Sequence, residues 1–233
     1  MASFVSLWIL VAVHLFGNQS RIMGWIWHGR FLSFASGVSL GYVFVELLPA
    51  LSEGQPLIKE TFHGALPYLD KHAYLIALIG LLFSYAVEKK STSKSDYKFW
   101  LSMGGYALFN FFVGASLADP FNPDIKPIWL FTVAMGLHYF VRDHNAVESH
   151  PKAYKNEARW MLVVALILGW VVGYVTAIPQ SLIALVVAFV SGGVILNSMR
   201  YELPEKKKDS TAYFILGALG YAVMLLSIGV KNV

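Results

Sequence analysis

Apolar positions along this chain gather into eight stretches, approximately 4–16, 31–51, 73–87, 99–117, 128–141, 160–178, 182–199 and 213–230, divided by shorter polar runs. A helix advancing ~1.5 Å per residue needs about 20 mostly apolar residues to cross ~30 Å of hydrocarbon. The pattern therefore predicts an all-α integral membrane protein, a single bundle of eight transmembrane helices occupying residues 1–233. No room is left for a separate soluble domain, because the longest polar stretches, 53–71 and 143–159, have the size of loops. The first stretch is the weakest and also reads as a signal peptide, against which stands the missing charge before Phe4. The third and fifth are short as well, and each reaches full length only if flanking polar residues face the bundle.

Composition supports water's absence as solvent. The chain is 57% hydrophobic and 14% charged, with mean hydropathy +0.57, against about 25% charged residues in ordinary soluble domains. Its pI of about 9.1 is explained by cytoplasmic loops rather than nucleic acid. The connections 1–2, 3–4, 5–6 and 7–8 hold 14 of the 18 Lys and Arg residues; only Lys59, Lys71, Lys126 and Lys231 fall on the other side. Positive charge is retained in the cytoplasm, so both termini are expected outside it, with the plasma (inner) membrane as the expected location. The chain has no cysteine, which excludes disulfides, thiolate ligands and cysteine nucleophiles.

Trp25, Trp27, Trp100, Trp129, Trp160 and Tyr213 fall near span ends, where amphipathic rings anchor among headgroups. Ser33, Gly37 and Gly41, and likewise Gly169 and Gly173, recur every four residues and predict close helix contacts. The segment 33–49 also aligns on 188–204 at an offset of 155, with Phe34/Phe189, Ser36/Ser191, Gly37/Gly192 and Pro49/Pro204 coinciding. An inverted repeat, a transporter habit, and a chance match of two Gly- and Ser-rich segments both account for this.

Ionisable and amide side chains at membrane depth are expensive and mark function by default. Asn110 lies about ten residues in from Trp100, on the order of 15 Å deep, and His138 lies similarly in the fifth span. Arg142, Asp143, His144 and Glu148 follow His138 within three turns, His144 and Glu148 spaced i, i+4. Imidazole, carboxylate and amide donors suit a borderline divalent cation, making Asn110, His138, Asp143, His144 and Glu148 candidate metal ligands. Interhelical hydrogen bonding, and a cytoplasmic loop starting at Arg142, are the plainer readings. Glu46, Asn197 and Glu202, near span ends, together with Arg142, are candidates for lining a transport pathway. Glu53, Glu60, His63, Asp70 and His72 in the outer loop would gather cations or merely be solvated.

These residues resemble the ZIP (Zrt/Irt-like) metal transporter superfamily. The second span, FASGVSLGYVFVELLPAL, is similar to that family's glycine-rich helix with a Leu-Leu-Pro signature; AFVSGGVILNSMRYELPE resembles its partner, and LIGLLFSYAVEKK the third span. The resemblance implies a 3+2+3 arrangement of eight spans with an inverted repeat, both ends outside, and transport of divalent cations of the Zn/Fe/Mn class. The functional motifs depart from the family. Its His-Asn-x-x-Asp-Gly is matched by residues 109–114, which keep Asn110 and Gly114 but have Phe109 and Val113 for the His and Asp. Its His-x-x-x-Glu-Gly is matched by 138–143, where Arg142 replaces the Glu. A guanidinium beside a divalent cation is repulsive by several kcal/mol at intermediate dielectric.

Two readings follow: a ZIP-like divalent-metal carrier with an eroded site, and a non-transporting ZIP-like membrane protein with an interaction or regulatory role. An intramembrane enzyme is not expected, since there is no HExxH or GxSxG motif and no histidine after His150 to serve Ser191. No cofactor or nucleic acid is expected; the partners are the lipid bilayer, a divalent metal ion as substrate and, as an open possibility, a second copy in a homodimer.

Overall fold

A computed structural model of the chain describes residues 1–17, 28–61, 72–89, 96–118, 128–176, 179–199 and 211–229, and these are all helical or in short connections. Eight long helices follow in order. They are α1 (Ala2–Phe16), α2 (28–53), α3 (His72–Lys89), α4 (Asp96–Ala118), α5 (Ile128–Ser149), α6 (151–175), α7 (Gln180–Asn197) and α8 (Thr211–Gly229), with a short helical turn at Gln55–Thr61 after α2. Three are long and apolar enough to cross a membrane: Arg30–Lys59, Phe99–Ala118 and Pro151–Val175. The outward face carries large apolar side chains, among them Trp8, Leu78, Leu168, Leu216, Leu219 and Leu226, each about half exposed or more.

The helices associate through backbone contact at glycine. A methyl group added at Gly37 of α2 would collide with the Phe214 carbonyl oxygen of α8, and one at Gly217 with that of Phe34. The α3–α7 pair repeats this arrangement: Gly192 faces the Ala77 carbonyl and Gly80 that of Phe189. The correspondence is positional, since each α7 residue stands 155 after its α2 counterpart and each α3 residue 137 before its α8 counterpart. Gly169 and Gly173 of α6 meet Phe111 and Ala115 of α4 in the same manner. Without a side chain, two backbones reach van der Waals contact along several residues, the chief source of helix attraction where no water is expelled.

These contacts also give helix directions. Phe111 and Ala115 pair with Gly169 and Gly173 in rising order, so α4 and α6 run parallel. Gly136 and Phe140 of α5 meet Leu10 and Gly17 of α1 likewise. In contrast Ser39 bonds His138 while Tyr42 packs on Phe131, so α2 runs antiparallel to α5. Alternation of direction from one helix to the next satisfies all three.

Helix α2 changes winding at Val43–Leu47, a π turn in which the Leu48 N–H bonds the Val43 carbonyl. Pro49 supplies the cause: its ring has no N–H and crowds the carbonyl four residues back, and widening the turn relieves both. Helix α7 widens likewise at Ser198 and Met199, the positions 155 after Val43 and Phe44. Helix α1 is a packed part of the bundle, its Leu7, Leu10 and Val11 buried against Tyr139, Leu162 and Leu166.

Two helices are longer than hydropathy suggests. Helix α5 continues past residue 141 to Ser149, and α6 begins at 151 rather than 160. Each extension buries one side, with Asp143 0% exposed in α5 and Tyr154 2% in α6, which an average over all side chains hides.

Candidate functional site

Three helices meet at a buried polar cluster. From α1 comes His14, from α4 Asn110 and from α5 Asp143, exposed to 1%, 0% and 0% respectively. The His14 Nδ1 lies 2.8 Å from Asp143 Oδ2 and its Nε2 2.8 Å from Asn110 Oδ1. The Asn110 amide is oriented by its Nδ2, which donates to the Tyr106 carbonyl one turn back at 2.9 Å, so Oδ1 is the atom presented to the imidazole. His14 Nε2 therefore donates to an amide oxygen while Nδ1 is hydrogen-bonded to the carboxylate. Such pairing is what makes a buried carboxylate tolerable.

Aromatic rings seal the cluster. Tyr139 stacks on His14 with centroids 4.5 Å apart, and Tyr106 meets it edge-on at 6.0 Å, its hydroxyl donating to Asp143 Oδ1 at 3.4 Å. With both ring nitrogens engaged, His14 has no lone pair to offer a metal ion.

His138 faces elsewhere. Its Nδ1 lies 3.0 Å from the Ser39 hydroxyl of α2, and it lines a cavity of about 90 Å³ between α3, α4, α5 and α7 together with Arg142, Ser102 and Ser84. Arg142 donates to the Ser102 hydroxyl at 2.8 Å, and its guanidinium lies 5.6 Å from the Tyr106 ring centre. His144 and Glu148 pair with one another at 3.5 Å, the Glu148 side chain being 70% exposed. That is a solvated pair apart from the cluster, of small energetic consequence.

A second cavity, of about 230 Å³, is lined by Glu46, Glu53, Tyr42 and Tyr221 toward the other end of the bundle. Between the two lies a third of about 80 Å³, which shares Tyr42, Ser116 and Phe131 with the second and Phe109 and Val190 with the first. The three form a row along the bundle.

Of the residues singled out in the sequence, the structure joins Asn110 and Asp143, places His138 and Arg142 in one cavity and Glu46 in another, and sets His144 and Glu148 aside. Among the described residues, no group of three or more His, Asp or Glu side chains is placed to hold a metal ion. Asn197 ends α7, and its side chain lies outside the described residues, as do Glu202, Pro204, Trp25, Trp27, His63 and Asp70. His14 is the residue the sequence reading passed over. The signal was present: it is an imidazole inside an apolar stretch, subject to the same rule that marks Asn110 and His138. No protein-family model, curated protein or solved structure matches this chain.

Proposed function

We propose that this chain is an integral membrane carrier on a ZIP-like scaffold, eight spans in a 3+2+3 arrangement with an inverted repeat, moving divalent cations of the Zn/Fe/Mn class through an eroded site. The observation that carries the reading is the row of three cavities, lined in turn by α2 and α8, by α2 and α7, and by α3 and α7, each together with α4 and α5. Helix pairs α2–α8 and α3–α7 reuse one set of glycine contacts at fixed offsets, and carriers with inverted repeats place their route between the repeats. Glu46 and Glu53 at one end of the row supply the negative charge that would collect a cation, and His138 is the imidazole further along. Rocking of one half against the other would expose the row to each side in turn.

The test is uptake of Zn²⁺, Fe²⁺ or Mn²⁺ by liposomes containing the purified chain. Flux is expected above that of empty liposomes, reduced at least about tenfold in the double variant Glu46→Gln/Glu53→Gln. Absence of flux with all three metals overturns the carrier reading. It would leave the second one, a non-transporting ZIP-like protein with an interaction or regulatory role. That alternative draws support from the saturated His14–Asp143–Asn110 cluster, which spends on internal bonds two of the side chains a metal would use.

A further inference from the structure

The Arg142 cavity has the makings of a separate ligand site. The guanidinium is half-buried, and its partners are one hydroxyl and one ring face. Among the described residues no carboxylate lies within ion-pair distance of it. Its neighbour Asp143 is turned away from it, with Oδ2 2.8 Å from His14 Nδ1. A guanidinium withdrawn from water without a counter-charge is costly. Here it borders open space rather than packed side chains: about 90 Å³, where one water needs ~10–15 Å³ of such space.

We infer that this cavity binds a phosphate-type oxyanion, held by the Arg142 guanidinium with help from the Ser102 hydroxyl. Five donors in a planar fork match the paired oxygens of such an ion, and Ser84 and His138 on the opposing walls add polar lining. The location agrees. Arg142 is in the later half of α5, and the sequence puts 14 of the 18 basic residues, Arg142 among them, on the side of the spans that α5 reaches at Ser149, which would concentrate anions at this entrance. The oxyanion is either free in solution or the headgroup of an anionic lipid, which presents the same chemistry at the same depth. The site goes beyond the carrier reading and does not depend on it, although a bound anion would also offset the charge that Arg142 places beside a cation route.

The experiment is thermal unfolding of the full-length purified chain, followed by tryptophan fluorescence at constant ionic strength, in two arms. One arm adds inorganic phosphate in a neutral detergent; the other compares nanodiscs of phosphatidylcholine with nanodiscs containing phosphatidylglycerol. A saturable rise in Tm of roughly 3–6 °C is expected at tenfold excess over Kd, abolished in Arg142→Gln, partly kept in Arg142→Lys and diminished in Ser102→Ala. A rise with inorganic phosphate identifies a free oxyanion; a rise confined to phosphatidylglycerol identifies the headgroup. No rise in either arm, or an undiminished rise in both Arg142→Gln and Ser102→Ala, overturns the site. Ser102→Ala keeps the test open if the arginine variants do not fold. Metal flux is scored separately: flux without any anion effect removes this site and leaves the carrier, and an anion effect without flux does the reverse.

Discussion

At the scale of single residues, the His14–Asp143 pair is the most exposed to mutation. Its members are 129 positions apart and fully buried, so deleting one leaves the other without its main partner. Breaking a buried pair in this way costs ~3–5 kcal/mol in soluble proteins, whereas interhelical hydrogen bonds in membranes average nearer ~0.6 kcal/mol because the separated helices find other partners. The charge decides between these scales here. An Asp left to tyrosine hydroxyls, Tyr106 at 3.4 Å and Tyr154, loses its strongest partner, and we expect about 3 kcal/mol lost in His14→Phe, which retains the ring stacked on Tyr139, and a similar loss in Asp143→Leu. The double variant should cost well under their sum, with a coupling of at least ~1.5 kcal/mol in reversible unfolding from mixed micelles. Additivity within ~0.5 kcal/mol would show that the two residues do not act as a pair. This cluster was only half legible in the sequence. Counting ~1.5 Å per residue gives depth along a helix, and on that basis Asn110 and His138 stand at similar depth as candidate ligands of one ion. Which way a side chain faces depends on helix rotation, about 100° per residue, and on neighbours distant in sequence. Asn110 turns toward His14, 96 positions away, and His138 toward Ser39, 99 away.

At the scale of elements, glycine position governs which helices can touch. Gly37 and Gly192 occupy equivalent places in the α2–α8 and α3–α7 contacts, each against a partner carbonyl, while Gly104 and Gly220 have open space where a methyl would go. Alanine at Gly37 or Gly192 must push two backbones apart, and overpacking of that sort costs ~1–3 kcal/mol. Alanine at Gly104 or Gly220 meets nothing and should gain up to about 1 kcal/mol from helix propensity. Matched losses at the first two sites with none at the second two, read from SDS unfolding, are the expected pattern; equal effects at all four would deny that these contacts hold the bundle together. The sequence disclosed the elements better than their ends. Small residues at four-residue spacing pointed to Gly37, Gly41, Gly169 and Gly173, all of which lie at helix contacts. The fifth stretch reaches full length because part of its polar flank faces the bundle, as Asp143 does, whereas the extension of α6 buries Tyr154 and Ala158 and leaves Lys152, Lys155 and Glu157 exposed, a one-sided pattern that averaged hydropathy cannot distinguish.

For the whole molecule, the contact geometry sets relative directions and charge predicts the absolute one. Helix α1 runs parallel to α5, with Gly136 and Phe140 against Leu10 and Gly17, and α2 runs antiparallel to α5. It follows that Ala2 and Ser52 lie at one end of the bundle and Ser149 at the other, and all three are exposed. Nothing in the packing tells which end faces the cytoplasm, since a bundle turned over has identical internal contacts. The bias of Lys and Arg predicts it: 14 of the 18 fall between the apolar stretches 1–2, 3–4, 5–6 and 7–8 and four elsewhere, and insertion retains the basic side in the cytoplasm. The chain has no cysteine, so a single introduced thiol reports its own side without background. In intact bacteria, Ala2→Cys and Ser52→Cys should react with a membrane-impermeant maleimide, while Ser149→Cys should react only after the membrane is permeabilised. The reverse pattern would mean that the charge bias does not orient this protein, and labelling of Ser52 and Ser149 from the same side would break the alternating bundle itself. The oxyanion site depends on the same orientation, because an entrance at the Ser149 end meets cytoplasmic phosphate and the inner leaflet only if that end faces inward.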